Sequence, residues 1–257
     1  MRITRLYVTH DLAAGASVGL SPSQAHYLSH VLRLKRGDPV HLFNGRDGEW
    51  QGDVDALGRG WCSVEVRAQT RPQPALDGGD LWLVFAPVKR ARIDFIAAKA
   101  TELGAAALWP VMSEHTAVGR VNADRLHANA IEAAEQCGRL SVPDILEPDS
   151  LRGALARWPE GRRLLYCDES GAGAPIAEVL EAARGEAAQG WAVLTGPEGG
   201  FARAELDALA NLSISTAVSL GPRILRADTA AIAALACWQA VLGDWRQTRT
   251  KSAQPAS

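Results

Sequence analysis

The rhythm of apolar and polar positions changes near residue 75 of this chain. Before that point, short apolar runs alternate with polar residues between turn formers. Val40–Phe43, Glu49–Val54 and Cys62–Val66 read as strands, with Asn44-Gly45 and Asp47-Gly48 as hairpin-turn signals between the first two. One helix precedes them, opened by Ser21-Pro22 and running through His26, Leu28 and Val31–Leu32. This pattern predicts a small β-rich domain of barrel type. Gln69–Gly79 carries two prolines, paired glycines and no apolar period, and predicts a linker.

After the linker the grammar alternates. Leu81–Ala86 predicts a buried strand, and Ala91–Leu103 a helix with Ile93, Ile96, Ala97, Ala100 and Leu103 on one face, closed by Gly104. Strands follow at Ala107–Val111, Arg163–Cys167, Trp191–Thr195 and Ala217–Leu220. Helices are predicted over Asp124–Gly138, Ile176–Ala188, Ala204–Ala210 and Asp228–Leu242. Such alternation predicts an α/β domain with a parallel sheet and helices on both faces. The polar tail Thr248–Ser257 has no apolar face and is expected to be disordered.

Composition narrows the class. With 47% hydrophobic and 22% charged residues among 257, the chain is an ordinary globular protein large enough for two cores. Its net charge of −2 attracts no polyanion as a whole, so any RNA role must rest on local clusters. The four cysteines have no metal-ligand spacing and read as free thiols in a reducing cytoplasm, with no metal expected. The first residues lack an apolar signal core, and Leu81–Val88 is too short to span a bilayer, so no membrane partner is expected. Absence of GxGxxG, of a P-loop and of GxSxG argues against a Rossmann dehydrogenase, a P-loop NTPase and an α/β-hydrolase.

Two loops carry the chemistry. Val193–Phe201 and Val218–Ala230 each begin as a short strand that ends in Gly-Pro, with a helical pattern soon after. Gly196, Gly199 and Gly200 strip side chains from the first loop and let a ligand approach its backbone. The second loop offers Leu220–Leu225 with Arg223 and Arg226 beside it. Loops at the carboxyl ends of strands in α/β sheets are where ligands bind. Lys89, Arg90 and Arg92 open a helix against its macrodipole, which suits an external anion or a solvated face. Arg33, Lys35 and Arg36 form a comparable cluster. Glu132, Glu135, Gln136 and Arg139 lie at helical spacing, as a surface network or pointing into a site. His26 and His30, four apart, read as surface or half-buried histidines.

Taken together, His26–Arg33 with Gly37-Asp38, Lys99–Gly104, Ala134–Arg139 with Val142-Pro143, Gly196–Gly200 and Leu220–Arg226 resemble one family over nearly the whole chain. It is the RsmE-type 16S rRNA methyltransferases of the SPOUT superfamily. The resemblance implies a PUA-like RNA-binding β-barrel over residues 1–72 and a SPOUT α/β domain over 78–247 that ends in a deep trefoil knot. It also implies a homodimer, and transfer of a methyl group from S-adenosylmethionine to N3 of a uridine in 16S rRNA, naked or in the assembled small subunit. Thr195, Gly196, Gly199, Gly200, Leu220, Gly221, Ile224, Leu225 and Thr229 are then the expected cofactor residues. Arg226, with Arg223 second, would stabilise the uracil anion, and Glu198 or Asp228 would take the N3 proton. RNA contacts are expected from Arg33, Lys35, Arg36, Lys89, Arg90, Arg92, Gln136, Arg139 and Arg223.

Two positions depart from the family pattern: Asp228, where a glutamate is usual, and Ala202, where a small N-capping serine is usual at a value of about 1 kcal/mol. The rival readings are a SPOUT enzyme acting on tRNA or on another rRNA base, and a non-catalytic RNA-binding assembly factor.

Overall fold

A computed structural model describes residues 3–75, 77, 79–186 and 189–246; the expected disordered tail lies outside them. The chain forms two compact units, Met1–Asp77 with Ala130–Val142, and Gly78–Asn129 with Pro143–Ser257.

The first unit is a mixed five-stranded sheet. Strands β1 (Arg5–Tyr7), β2 (Ser17–Leu20), β3 (Pro39–Phe43), β4 (Glu49–Gly58) and β5 (Trp61–Arg71) lie in the order β1-β3-β4-β5-β2. Only β1 and β3 run parallel. No ladder joins β1 to β2 among the described residues, so the hydrogen bonding is that of an open sheet where a barrel was expected. The β3–β4 turn forms as its sequence predicts. Asn44 Oδ1 accepts from the N–H groups of Arg46 (3.0 Å) and Asp47 (2.8 Å), and Gly45 and Gly48 take φ of +80° and +81°. Alternate residues Val40, Leu42, Val54, Val64 and Val66 face one core with Leu6, Val18 and Leu28.

Two expectations change here. The helix opened by Ser21 and its reciprocal cap with Gln24 is α-helical only over Pro22–His26 (α1); Tyr27–Val31 is a π-helix. The supposed linker is partly strand, since β5 continues to Arg71 opposite Glu49.

Arg5 ties Ala130–Val142 into this unit. Its guanidinium pairs with Glu49 and donates to the carbonyls of Ala134 (2.8 Å), Glu135 (3.0 Å) and Arg139 (2.6 Å). Phe43, Ala134 and Leu140 pack together beside it. Burial alone would push the Glu49 carboxyl up. The Arg5 hydrogen bond and charge, with His41 and Arg71, outweigh that and hold it below its usual value.

The second unit is wholly parallel. Its elements are β6 (Leu81–Phe85), α2 (Arg90–Glu102), β7 (Ala107–Met112), the start of α3 (Ala123–Cys137, whose residues from Ala130 onward belong to the first unit), β8 (Asp144–Ile145), β9 (Asp149–Ser150), α4 (Leu151–Ala156), β10 (Arg163–Cys167), β11 (Ala174–Pro175), α5 (Ile176–Ala182), β12 (Trp191–Thr195), α6 (Arg203–Ala210), β13 (Ser215–Ser219) and α7 (Ala227–Val241). Strand order is β11-β13-β10-β12-β6-β7-β8, with β9 beside β7. The central strands are continuous apolar runs because both faces are covered. Leu83, Phe85, Leu165 and Val193 pack with α2, α5 and α7 residues such as Ile96, Leu180 and Leu235. Val84, Leu164, Tyr166 and Leu194 pack on the other face with Leu151, Ala154 and Leu209 of α4 and α6.

Gly104 ends α2 as predicted, with φ +83°. The helix expected to reach Ala188 stops at Ala182 and tightens into a 3₁₀ turn over Arg184–Glu186. The segment that builds β8, β9 and α4 had no predicted element, being two-residue strands and a six-residue helix.

Candidate active site

Parallel strands put all their carboxyl ends on one edge of the sheet, and there three loops meet. The extensions of β10, β12 and β13 line a cleft of about 230 Å³, closed on one side by Ala227 and Ala230 of α7. From the β12 loop come Thr195, Gly196, Pro197, Glu198, Gly200 and Phe201. From the β13 loop come Leu220, Gly221, Arg223, Ile224 and Leu225. These two loops come together although β10 lies between their strands in the sheet.

The backbone here needs glycine for different reasons at different positions. Gly221 has φ +102°, and nothing stands within 4 Å of the point a Cβ would occupy, so conformation and not space demands glycine. Gly200, at φ +70°, is left-handed and also lies against Glu169. At Gly196 a Cβ would sit 3.0 Å from the Phe201 ring, which packs over the loop. Thr195 is buried, and its carbonyl accepts from Ala86 N–H at 2.9 Å, fixing the start of the loop to β6.

Not every expected residue lines this cleft. Gly199 faces an adjoining hollow shared with Asp168, Glu169, Ser170 and Leu206. Arg226, the N-cap of α7, is exposed and outside the lining, as is Thr229. Ile224 lines the cleft but is 88% exposed. Asp228 is half-buried at the second position of α7, not at its cap, and accepts from the Thr229 N–H at 2.9 Å. Its negative charge in the first turn suits the positive end of the helix.

Arg92 is placed differently from its expected role. Its Nη1 donates to Glu198 Oε1 at 2.9 Å, and its Nε lies 3.9 Å from Asp228 Oδ2. The residue expected to meet RNA phosphate is thus committed to the two carboxylates expected to act as base. Arg139 is likewise corrected. It is 8% exposed, and its Nη2 donates to Asp77 O and Ser141 Oγ, both at 2.9 Å, so it offers no guanidinium to an external phosphate. Lys89 is the exposed N-cap of α2, and the side chain of Arg90 lies outside the described residues. Arg33, at φ +57°, Lys35 and Arg36 are exposed in the first unit, Arg36 lying 3.5 Å from Asp55. Gln136 is exposed there beside a hollow lined by Tyr27, Glu132 and Glu135.

Sequence reasoning missed the third loop. Cys167, Asp168, Glu169 and Gly171 line the cleft, and the rule that found the other two loops applies equally to the predicted strand Arg163–Cys167. Burial, with a contribution from Cys237, pushes the Cys167 thiol up to about 12, so it sits in the cleft as a neutral thiol and not as a nucleophile. Asp168 accepts from the Ser170 N–H (2.8 Å) and Oγ–H (2.9 Å), which closes the β10 loop on itself.

The fold and this cleft define a class, and comparison with known proteins agrees. A family model described as an RNA methyltransferase domain matches residues 77–239, and one described as an RNA methyltransferase PUA domain matches residues 20–66. The chain belongs to this RNA methyltransferase family. It is 32% identical to the ribosomal RNA small subunit methyltransferase E of Rickettsia conorii, over 92% of this chain and 95% of that protein. It is 30% identical to the protein of the same name from Synechocystis, over 93% of this chain and 78% of that one. The crystal structure of the Neisseria gonorrhoeae ribosomal RNA small subunit methyltransferase E bound to S-adenosylmethionine superposes with a TM-score of 0.84 at 27% identity, covering 95% of this chain and all (100%) of that one.

Proposed function

We propose that this chain transfers the methyl group of S-adenosylmethionine to N3 of a uridine in 16S rRNA of the small ribosomal subunit. The observation that carries this reading is the convergence of two glycine-bearing loops on one cleft at the carboxyl edge of the parallel sheet, in a chain of this family. The residues fit the cofactor. Leu220 and Leu225 supply apolar surface for an adenine, and Gly196, Gly200 and Gly221 leave the backbone that lines the cleft without side chains. When bound, the cofactor supplies an electrophilic methyl on a sulfonium.

The protein's own task is at the base. Uracil N3 must lose a weakly acidic proton, and the resulting anion must be held in line with the methyl. Alignment contributes most in two-substrate transfers. Arg226 and Arg223, exposed at the mouth of the second loop, are the groups for the anion's carbonyl oxygens. Glu198 lines the cleft and Asp228 does not, which favours Glu198 as proton acceptor, directly or through water. Arg92 fixes both carboxylates and serves the reaction by positioning them. RNA contacts fall to Arg33, Lys35, Arg36, Gln136, Lys89 and Arg90.

The reading includes a PUA-like RNA-binding domain over residues 1–72 and a SPOUT domain over 78–247 with a C-terminal trefoil knot. The knot would account for how the β12 and β13 loops reach one cleft across β10. It further includes a homodimer working in the cytoplasm. No helix among the described residues is long and apolar enough to cross a membrane. The test is to map methylated uridines in ribosomal RNA from cells lacking the gene. One uridine-N3 methyl group is expected to vanish from 16S rRNA and to return when purified protein and S-adenosylmethionine are added to small subunits. Loss of a tRNA methyl group instead would overturn the reading.

A further inference from the structure

The Gly196–Ala202 loop walls the cleft on its inner side, yet several of its restraints come from its outer side. There the turn Ser113–Thr116, after β7, presents His115. Ser113 N–H donates to Thr116 Oγ1 at 2.9 Å and Thr116 N–H returns to Ser113 O at 3.0 Å, which fixes the turn. His115 Nδ1 then lies 3.1 Å from Gly199 O and 3.2 Å from Gly200 O. Carbonyl oxygens only accept, so the hydrogen must sit on Nδ1, shared between the two. Glu205 completes the clasp: its Oε2 accepts from Ala202 N–H and its Oε1 from Glu114 N–H, both at 2.9 Å. One carboxylate therefore joins the end of the glycine loop to the residue before His115.

Gly199 now has a reason of its own. A Cβ there would lie 3.1 Å from the His115 Cβ, so glycine lets the imidazole reach the backbone. His115 itself does not line the cleft.

We propose that His115 is a positioning residue for methyl transfer, holding the Gly199–Gly200 carbonyls through its Nδ1–H so that the loop keeps its cofactor-binding shape. This rests on the reading that the loop holds the cofactor. Consecutive glycines lose more freedom on ordering than any other pair, so a loop left unclasped must be ordered by the cofactor on binding.

The chemistry of the donor supplies the test. An asparagine amide nitrogen occupies the place of Nδ1, whereas leucine fills the space with no donor. Cofactor affinity is measured by calorimetry and methyl transfer to small subunits by single turnover, on full-length wild type, His115→Asn, His115→Leu and Gly221→Val. His115→Leu is expected to bind S-adenosylmethionine about tenfold more weakly, the equivalent of one to two lost hydrogen bonds. The loss should fall more on cofactor affinity than on the transfer rate at saturating cofactor. His115→Asn should restore affinity. Asparagine as weak as leucine would mean that bulk and not the donor matters, and would overturn the proposal. So would wild-type affinity in His115→Leu while Gly221→Val binds weakly. If both bind as wild type does, the loops do not hold the cofactor and the clasp falls with that reading.

Discussion

Replacing Gly221 by valine isolates what a backbone conformation contributes to cofactor binding. At φ +102° the residue lies where a β-branched side chain is strained, yet nothing stands within 4 Å of the Cβ it would gain. The cost is therefore conformational and local, about 1–3 kcal/mol for a residue held in such a region. The free loop can escape it by relaxing, because residues 221–224 are exposed and, among the described residues, Gly221 N–H is held by Ser219 Oγ at 3.2 Å. Binding must then restore the shape, so the strain appears in the dissociation constant, as a loss of roughly 5- to 150-fold. Calorimetric titration with S-adenosylmethionine measures the loss, and thermal unfolding of the free protein should move little. Gly221→Ala should fall between the two, since its single methyl is less restricted. Wild-type affinity in the valine variant would refute the argument, as would a folding defect as large as the binding defect.

Two other outcomes follow from the same geometry. Arg226→Ala should lower the single-turnover transfer rate by a factor of order 10² while leaving cofactor affinity near wild type. A variant that loses only RNA affinity would make this arginine a phosphate contact. In the first unit, Arg5→Leu should destabilise the protein by about 3–5 kcal/mol, because it leaves Glu49 buried without its partner. The wild-type Glu49 carboxyl is held low, so its stabilisation is complete above the usual carboxylate value of 4.5 and is lost as pH falls through the lowered one. Without Arg5, burial dominates and the carboxyl rises, so Arg5→Leu should gain from mild acidification. Urea melts between pH 4 and 7 would expose parallel profiles, the result that contradicts this account.

Much of this molecule is legible in its residues. The α/β alternation after residue 80 is legible where both faces of a strand are apolar, and β6, β10 and β12 fall where the pattern puts them. The two Gly-Pro loops are legible too, since their glycines have few other uses. Arg92 was not, because a helix-opening arginine looks the same whether its partner is a phosphate or Glu198, 106 positions along the chain. Arg139 was misplaced for a similar reason: its burial depends on Asp77, 62 positions before it. The π-turn at Tyr27–Val31 escaped because periodicity in five residues cannot separate it from an α-helix. His115 left no signal, since its partners are backbone carbonyls that every residue carries.

The first unit is discontinuous: Ala130–Val142 belongs to it, although the chain leaves it after Asp77. Protein synthesis is directional, so this arrangement has a consequence in time. A nascent chain that has just delivered Asp77 still lacks the carbonyls of Ala134, Glu135 and Arg139 that Arg5 requires, and the apolar partners of Phe43. At typical elongation rates of about 5–20 residues per second, the ribosome needs roughly 3–13 s to supply the missing segment. Throughout that interval Arg5 and Phe43 are without these partners. A fragment cut at Asp77 would be arrested in that state, and extending it through the second unit's first strands and helix to Val142 is the shortest uninterrupted stretch of chain that relieves it.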